Sequence, residues 1–115
     1  MMRKAVMPMT WYERVIAAHT SVTSAASHGQ RLKSSRYFVW AEDGANDRAA
    51  NGRHAMRSMS GHTDLFTKKE FDPWVDKLGE AFSDFDIAWE LISADYEEET
   101  GFWHYSWDWE APVSG

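Results

Sequence analysis

The 115-residue chain contains no cysteine. That absence excludes a disulfide framework, a zinc site with thiolate ligands and a cysteine nucleophile. Proline and glycine are scarce, with three Pro and seven Gly, so the chain is not a low-complexity sequence. No apolar run is long enough for a transmembrane helix or a signal peptide. The sequence therefore predicts a soluble protein that is made inside a cell and does not bind a membrane.

Aromatic and apolar residues are plentiful instead. Hydrophobic residues make up 43% of the sequence and aromatic residues 15%, which includes seven Trp. That content is sufficient for the core of one domain of this length. We expect a disordered leader at residues 1–9, a single domain at 10–111 and a short tail at 112–115.

The clearest pattern lies at the end of the chain. From Phe102 onward, aromatic and polar side chains alternate with a period of two, which is typical of a β-strand with one buried face. Residues 87–97 are predicted to form the partner strand, with a turn at 98–101 in which Gly101 adopts a positive φ. The aromatic face of the second strand holds Trp103, Tyr105, Trp107 and Trp109, and its polar face holds His104, Ser106, Asp108 and Glu110.

The predicted register of this hairpin also suggests a contact surface. It pairs Ile92 with Trp107, so that Ile92 joins the aromatic face. Trp89 and Leu91 then point the other way, toward the face that carries Asp108 and Glu110. Exposed apolar groups of this kind often mark an interface. The candidates for subunit contact are Trp89, Leu91, Asp108 and Glu110.

Two amphipathic helices are predicted before the hairpin. Thr10 and Glu13 form a capping-box pattern ahead of apolar residues at three-and-four spacing, which predicts a helix that ends near Gly29. Asp72 and Pro73 mark the start of the second helix, since Asp is a common N-cap and Pro is favoured at the first helical position. The apolar stripe of that helix holds Trp74, Leu78, Ala81, Phe82 and Phe85.

Two further strands are predicted between the helices. Residues 36–41 and 54–67 have the aromatic and β-branched composition of strands. The segment between them, 42–53, is rich in Gly, Asn, Asp and Arg, and it is predicted to be a long loop that contacts a partner or forms a mobile hairpin tip. The predicted order of elements is α-β-β-α-β-β. The fold class is α+β, with a mainly antiparallel four-stranded sheet and two helices packed on one face.

Charge is distributed unevenly along the chain. Residues 1–60 hold nine Lys and Arg against four Asp and Glu, whereas residues 61–115 hold three against fourteen. This asymmetry is compatible with complementary surfaces for self-association, with a basic surface for nucleic acid, or with mixed charges on one solvated surface. A sequence pI near 5.2 disfavours tight DNA binding. The basic candidates for an interface are Arg31, Arg36, Arg48, Arg53 and Arg57.

The sequence carries no recognisable catalytic, cofactor or metal site. His104 and Asp108 share a strand face, but four strand residues span about 13 Å, which is too far for one ion. Across the predicted hairpin, Asp95 faces His104 as an ordinary charge pair. Gly44 and Gly52 lie between strands and not before a helix, unlike the glycines of a phosphate-binding loop. We expect a protein that is not an enzyme and that binds no metal or cofactor.

Taken together, several segments resemble the tail terminator (tail completion or head–tail joining) proteins of long-tailed bacteriophages and prophages. The similarity covers roughly residues 10–111. It rests on Tyr37-Phe38-Val39-Trp40, on the strand end Thr63-Asp64-Leu65-Phe66-Thr67, on the helix of residues 71–85 and on the final hairpin from Asp95 to Tyr105.

The resemblance implies a structural virion protein located at the head–tail junction of the tail. Such a subunit forms a hexameric ring that caps the tail tube, ends polymerisation of the major tail tube protein and joins the tube to the head connector or stopper. DNA passes through the central channel only as cargo, and the channel is usually lined with negative charge. In a ring, two different patches complement each other, so we expect the basic region 31–57 to meet the acidic half of the next subunit.

Two other functions stay open at this point. One is another structural role at the head–tail junction, as a connector, a stopper or a tail tube subunit. The other is a small acidic module that binds a host protein, which agrees with the acidic second half of the chain.

Overall fold

The computed structural model describes residues 9–49 and 55–113, of which 46–49, 55 and 56 are described by their backbone alone. The elements in chain order are α1 (Trp11–Val22), β1 (Ala26–His28), β2 (Arg36–Ala49), β3 (Ala55–Thr67), α2 (Trp74–Asp84), β4 (Ala88–Glu97) and β5 (Phe102–Pro112). Within these residues, five strands form one mixed sheet in the order β1-β2-β3-β5-β4. The α+β class is confirmed, but the predicted four-stranded antiparallel sheet is wrong, because β1 adds a fifth strand that runs parallel to β2.

The fifth strand occupies the segment where the sequence predicts the end of the first helix. Helix α1 ends at Val22 and not near Gly29. Thr23 adopts an extended conformation there, and its hydroxyl accepts a hydrogen bond from the Ala25 N–H at 3.0 Å. Hydroxyl side chains compete in this way with the helical backbone. Residues 26–28 are thereby free to pair with β2.

The first helix begins where the sequence predicts, and the second begins at Trp74, one residue after the predicted first helical position at Pro73. The Thr10 hydroxyl accepts from the Glu13 N–H at 3.1 Å, and the Glu13 carboxylate accepts from the Thr10 N–H at 2.8 Å. At the second helix, Asp72 Oδ1 accepts from the Trp74 N–H at 2.9 Å, and Pro73 lies between them. The reciprocal bonds at Thr10 confirm the predicted capping box.

The final hairpin has the predicted turn but a different register in its second half. Glu97 lies opposite Phe102, and Gly101 has a φ of 73°. A β-bulge between Leu91 and Ser93 then inserts one extra residue into β4. The predicted pairing of Ile92 with Trp107 is therefore wrong.

The bulge reverses the predicted direction of two candidate contact residues. Leu91 pairs with Trp107 and Trp89 pairs with Trp109, so both lie on the aromatic face and not on the polar face. The indole of Trp89 packs over Gly79 of α2, where an added Cβ would come within 2.8 Å of the ring. Packing against α2 therefore accounts for the position of Trp89 on the helix-covered face of the sheet.

Most of the segment predicted as a long loop is strand. Strands β2 and β3 remain paired as far as Ala49 and Ala55, and residues 50–54 lie outside the described part of the chain. Strand β5 pairs with β3 only from Ser58 onward, so no third strand among the described residues pairs with the end of the β2–β3 hairpin. The sequence of this end of the hairpin lacks the alternation that identifies a strand.

The core lies between the two helices and one face of the sheet. Gly61 allows close packing there, since a Cβ at this position would lie 2.2 Å from the Trp109 indole. Burial of each large side chain stabilises the fold by about 1.5–3 kcal/mol. The fully or almost fully buried apolar residues include Val15, Phe38, Trp40, Leu65, Leu78, Phe82, Trp107 and Trp109.

The helices divide the sheet between them. The His19 ring of α1 packs against Phe38 of β2, with ring centroids 5.6 Å apart. Helix α2 covers the other side, where it contacts Trp89 of β4. Arg14 of α1 donates to the Phe85 carbonyl at 3.0 Å and so joins the start of α1 to the end of α2. Helix α1 therefore borders the flank next to β1, and α2 borders the flank formed by β4.

Candidate assembly surfaces

The sheet face opposite the helices, called here the open face, is acidic. The observed register and the alternation of side chains place carboxylates from four strands on this one face. They are Asp43, Asp64, Glu90, Asp95, Glu97, Asp108 and Glu110. Carboxylates gathered on one surface create a negative potential over it.

Two histidines lie among these carboxylates. His62 Nδ1 is 2.8 Å from Asp43 Oδ1, and His104 Nε2 is 2.8 Å from Asp64 Oδ1. The predicted partner of His104, Asp95, is opposite it in the register, but the hydrogen bond of the ring goes to Asp64. These pairs tie β3 to its neighbours β2 and β5.

The same cluster contains a serine beside a histidine, as do the active sites in which histidine activates a serine nucleophile. The Ser106 hydroxyl donates to Asp64 at 2.6 Å and lies 3.3 Å from His104 Nε2. His104 Nε2 is itself hydrogen-bonded to the Asp64 carboxylate, so the imidazole is not directed at the serine proton. Within residues 9–49 and 55–113, no group of three His, Asp or Glu side chains is placed to hold a metal ion.

One end of the open face is covered by aromatic and basic side chains. The Arg31 guanidinium lies 4.0 Å from the centroid of Phe66, and its Nε donates to the Tyr37 hydroxyl at 3.4 Å. Lys68 lies 4.1 Å from the ring centroid of Phe102. Cations held over aromatic rings are stabilised by the ring quadrupole. Arg31, a predicted interface residue, thus contacts its own subunit.

Arg36, also predicted at an interface, has a structural role. Its guanidinium forms a two-pronged ion pair with the buried carboxylate of Asp72 and lies 3.7 Å from the ring centroid of Trp74. The Thr67 hydroxyl also donates to Asp72, at 2.7 Å. Burial alone raises the pKa of Asp72, but the hydrogen bonds from Arg36, the Trp74 N–H and Thr67 outweigh it and leave the pKa below its usual value. Arg36 therefore fixes the start of β2 to the start of α2.

Of the remaining predicted arginines, only Arg57 has a described side chain, and it lies far from Arg36. The side chain of Arg48 and the whole of Arg53 lie outside the described residues. Arg57 is exposed near the start of β3, and its carbonyl accepts from the Val113 N–H at 3.2 Å. Arg57 and Thr67, which pairs with Arg36, are ten residues apart on β3, a separation of about 33 Å along the strand. Within the predicted basic region 31–57, Arg36 and Arg57 thus lie toward opposite ends of the sheet.

A groove with apolar side chains on its β4 side runs between α2 and β4. Strand β4 pairs with β5 on one side only and forms an edge of the sheet. Trp89 is 42% exposed and Leu91 is 40% exposed, and both line this groove of about 500 Å³. Trp107 lies at its base. The rim on the helix side is acidic and consists of Asp76, Glu80 and Asp84.

The four candidates from the hairpin therefore belong to two different surfaces. Trp89 and Leu91 line the groove, whereas Asp108 and Glu110 belong to the open face. Glu110 accepts from the Ser58 hydroxyl at 3.1 Å. Sequence reasoning missed the acidic rim, although its members recur every fourth residue along α2 and so share one side of the helix.

No family model matches the chain, and no curated protein matches it. Among solved structures, a chain described as "Virion of native gene transfer agent (GTA) particle" is similar with a TM-score of 0.49 and 13% sequence identity, over 92% of this chain and 92% of that chain. A likeness at that level assigns no function. No helix of the described part of the chain is long and apolar enough to cross a membrane.

Proposed function

We propose that the protein is a structural subunit of a phage-like virion, a tail terminator that assembles into a ring on the end of the tail tube. The observation that carries the proposal is the acidic open face. One face of the sheet packs against both helices, while the other presents carboxylates from β2, β3, β4 and β5. A ring with the open face turned inward has a negatively charged channel, which repels the phosphates of a passing DNA duplex.

The resemblance of the sequence to tail terminators supports the finer assignment within the class of virion proteins. In that role the chain binds copies of itself, the major tail tube protein and the head connector or stopper, and it has no catalytic activity. The bond of His104 to Asp64 agrees with this, since it leaves Ser106 without a base directed at it. A ring also requires two unlike patches on each subunit, and the groove beside β4 is suited to be one of them.

The mass of the purified protein in solution tests the proposal, measured by light scattering at low and high salt, alone and with the matching tube protein. We expect a ring-sized species, or tubes that stop growing at a defined length when the protein is added. Electron microscopy of the tubes then shows the added protein at one end only. A protein that stays monomeric and leaves tube growth unchanged in all these conditions excludes the terminator role.

The acidic open face also favours a second function, namely a DNA-mimicking module that binds a host protein with a basic cleft. A carboxylate-rich surface fits such a cleft by charge complementarity. This function requires a stable monomer that binds a basic partner with strongly salt-dependent affinity. The light-scattering experiment therefore separates the two, because the module has no effect on the tube protein.

A further inference from the structure

We propose that adjacent subunits are joined by α1 of one copy, which docks into the groove between α2 and β4 of the next copy. The inference rests on the proposed ring and names the two surfaces that meet in it. It follows from the position of exposed apolar side chains on two opposite flanks of the subunit, and from the charges around each of them.

The first surface is a stripe along α1. Tyr12 is 48% exposed and Ile16 is 45% exposed, and both lie with Thr20 at four-residue spacing on one side of the helix. Arg14 lies two residues after Tyr12, which is about 200° around the helix, and it donates to the Phe85 carbonyl at the end of α2. The Tyr12–Ile16 stripe therefore faces away from α2, on the flank of the subunit next to β1.

The second surface is the groove on the opposite flank. It offers the exposed parts of Trp89 and Leu91 next to the open edge of β4. The Trp89 indole is held in place because its Nε1 donates to the Ser83 hydroxyl at 3.1 Å. Large apolar side chains that are fixed and half exposed are typical of the anchor positions of an interface. A groove between a helix and a strand edge accepts an amphipathic helix through its apolar stripe.

Charge favours a second copy turned head to tail over a copy related by a two-fold axis. In a symmetric groove-to-groove contact, the acidic rim of one subunit faces the same rim of the other, and like charges in contact are repulsive. Glu13 of α1, which follows Tyr12 in sequence, is bound within its own capping box. The contact of stripe with groove is therefore heterologous, as a ring requires, and each subunit has one copy of each surface.

Single-cysteine variants test the contact directly, because the natural chain has no cysteine. Ile16→Cys and Leu91→Cys are prepared separately, mixed under conditions in which the ring forms, and treated with a short bis-maleimide. We expect covalent dimers in the mixture and none when either variant is treated alone. The matched control replaces Leu91→Cys by Glu99→Cys, an exposed position on the β4–β5 turn, and should give no dimers with Ile16→Cys.

Charge variants of the stripe give a second readout that a loss of folding does not imitate. Ile16→Glu places a carboxylate opposite the acidic rim and should reduce the ring-sized fraction at least tenfold at low salt. Ile16→Lys introduces a charged side chain of opposite sign, and its ammonium group is attracted to the acidic rim. The Lys variant should therefore assemble better than the Glu variant. Circular dichroism of both variants confirms that the subunit remains folded, which is expected because Ile16 is half exposed.

The outcomes separate this inference from the proposed function. A ring-sized species that gives no dimers, or dimers from Leu91→Cys alone, overturns the stripe-to-groove contact and leaves the ring intact. Equal assembly of the Glu and Lys variants also contradicts it. A protein that is monomeric in every condition, with and without the tube protein, overturns both the contact and the ring.

Discussion

At the scale of single residues, His19 shows how a polar group is accommodated in the core. Its Nδ1 lies 2.7 Å from the Val15 carbonyl and therefore carries the proton that is donated there. Its Nε2 then accepts from the Thr63 hydroxyl at 2.9 Å, and Thr63 in turn accepts from the Trp109 indole N–H at 3.0 Å. Every polar atom in this chain of bonds has a partner while the imidazole is neutral. A second proton, on Nε2, would remove the acceptor that Thr63 requires.

The buried imidazole predicts a loss of stability in mild acid. Burial lowers the pKa of His19 from 6.5 to about 4, against the smaller opposing effect of the bond to Val15. Between these values the unfolded chain binds a proton at this site and the folded chain does not. The stability contributed by the neutral His19 imidazole is therefore fully present above pH 6.5. It is lost as the pH falls toward 4, and the loss is up to about 3 kcal/mol.

Urea unfolding at intervals from pH 7.5 to pH 4.5 measures this loss. His19→Gln is the control variant, since Gln keeps a donor and an acceptor but does not titrate. We expect His19→Gln to be less stable than the natural chain at neutral pH and to lose much less stability as the pH falls. The carboxylates with lowered pKa, such as Asp72, lose their contribution only at still lower pH, below their usual range. Equal pH slopes for the two proteins would show that His19 is not the group responsible.

At the scale of elements, the pair of Arg36 and Asp72 determines how the second helix joins the sheet. Asp72 is 3% exposed and accepts bonds from Arg36 of β2, Thr67 of β3 and the first N–H of α2. Removal of the cation leaves a buried carboxylate without its main partner. Arg36→Gln should therefore destabilise the fold by roughly 3 kcal/mol.

The measurement for this pair is the midpoint of urea unfolding at neutral pH. Lys69→Gln removes a positive charge from an exposed position near the same helix start and should change the midpoint little. Arg36→Glu places a second carboxylate next to Asp72, so this variant should lose assembly because the subunit itself is unfolded. A folded, fully stable Arg36→Glu protein with impaired assembly would instead indicate that Arg36 is an interface residue.

Most element positions could be predicted from local patterns, and the exceptions have physical causes. The capping box at Thr10 and the alternation after Phe102 involve neighbours in sequence, so both were predictable. The bulge at Ile92 accompanies the packing of Trp89 over α2, a contact between elements that no local pattern encodes. The short strand β1 likewise exists because β2 provides a partner for it.

The candidate surfaces were predictable only in part for a related reason. The acidic residues of β5 are visible as alternation in the sequence, but their meeting with Asp64 and Glu90 requires the strand order β3-β5-β4. Similarly, the sequence does not show that Arg36 pairs with Asp72, which lies 36 positions later. Periodicity identifies the face of a strand, whereas topology decides which faces lie side by side.

At the scale of the whole molecule, the surfaces fall into a pattern that suits a closed ring. The α1 stripe and the β4 groove lie on opposite flanks, and the open face lies between them on the side away from the helices. An exposed edge strand invites uncontrolled pairing, which charged side chains and bulges oppose. Strand β4 has both devices, with Glu90 and Asp95 along it and a bulge at Ile92. The edge is thus protected against random strand addition while the groove beside it stays accessible.

If the open face lines a DNA channel, its negative charge prevents the duplex from binding to the channel wall. Reversal of that charge should therefore make the protein bind DNA. Asp95→Lys with Asp108→Lys converts two exposed carboxylates of the open face into cations. The variant ring should retain double-stranded DNA in a filter-binding assay at low salt, with affinity that falls steeply as salt is added. The natural ring should retain none. The control, Glu98→Lys with Glu99→Lys, changes the net charge equally at the β4–β5 turn and should resemble the natural ring. If both double variants retain DNA to the same extent, net charge alone is responsible for the retention, and the open face is not the surface that contacts the duplex. Retention by the open-face variant alone indicates that the open face lies next to the DNA.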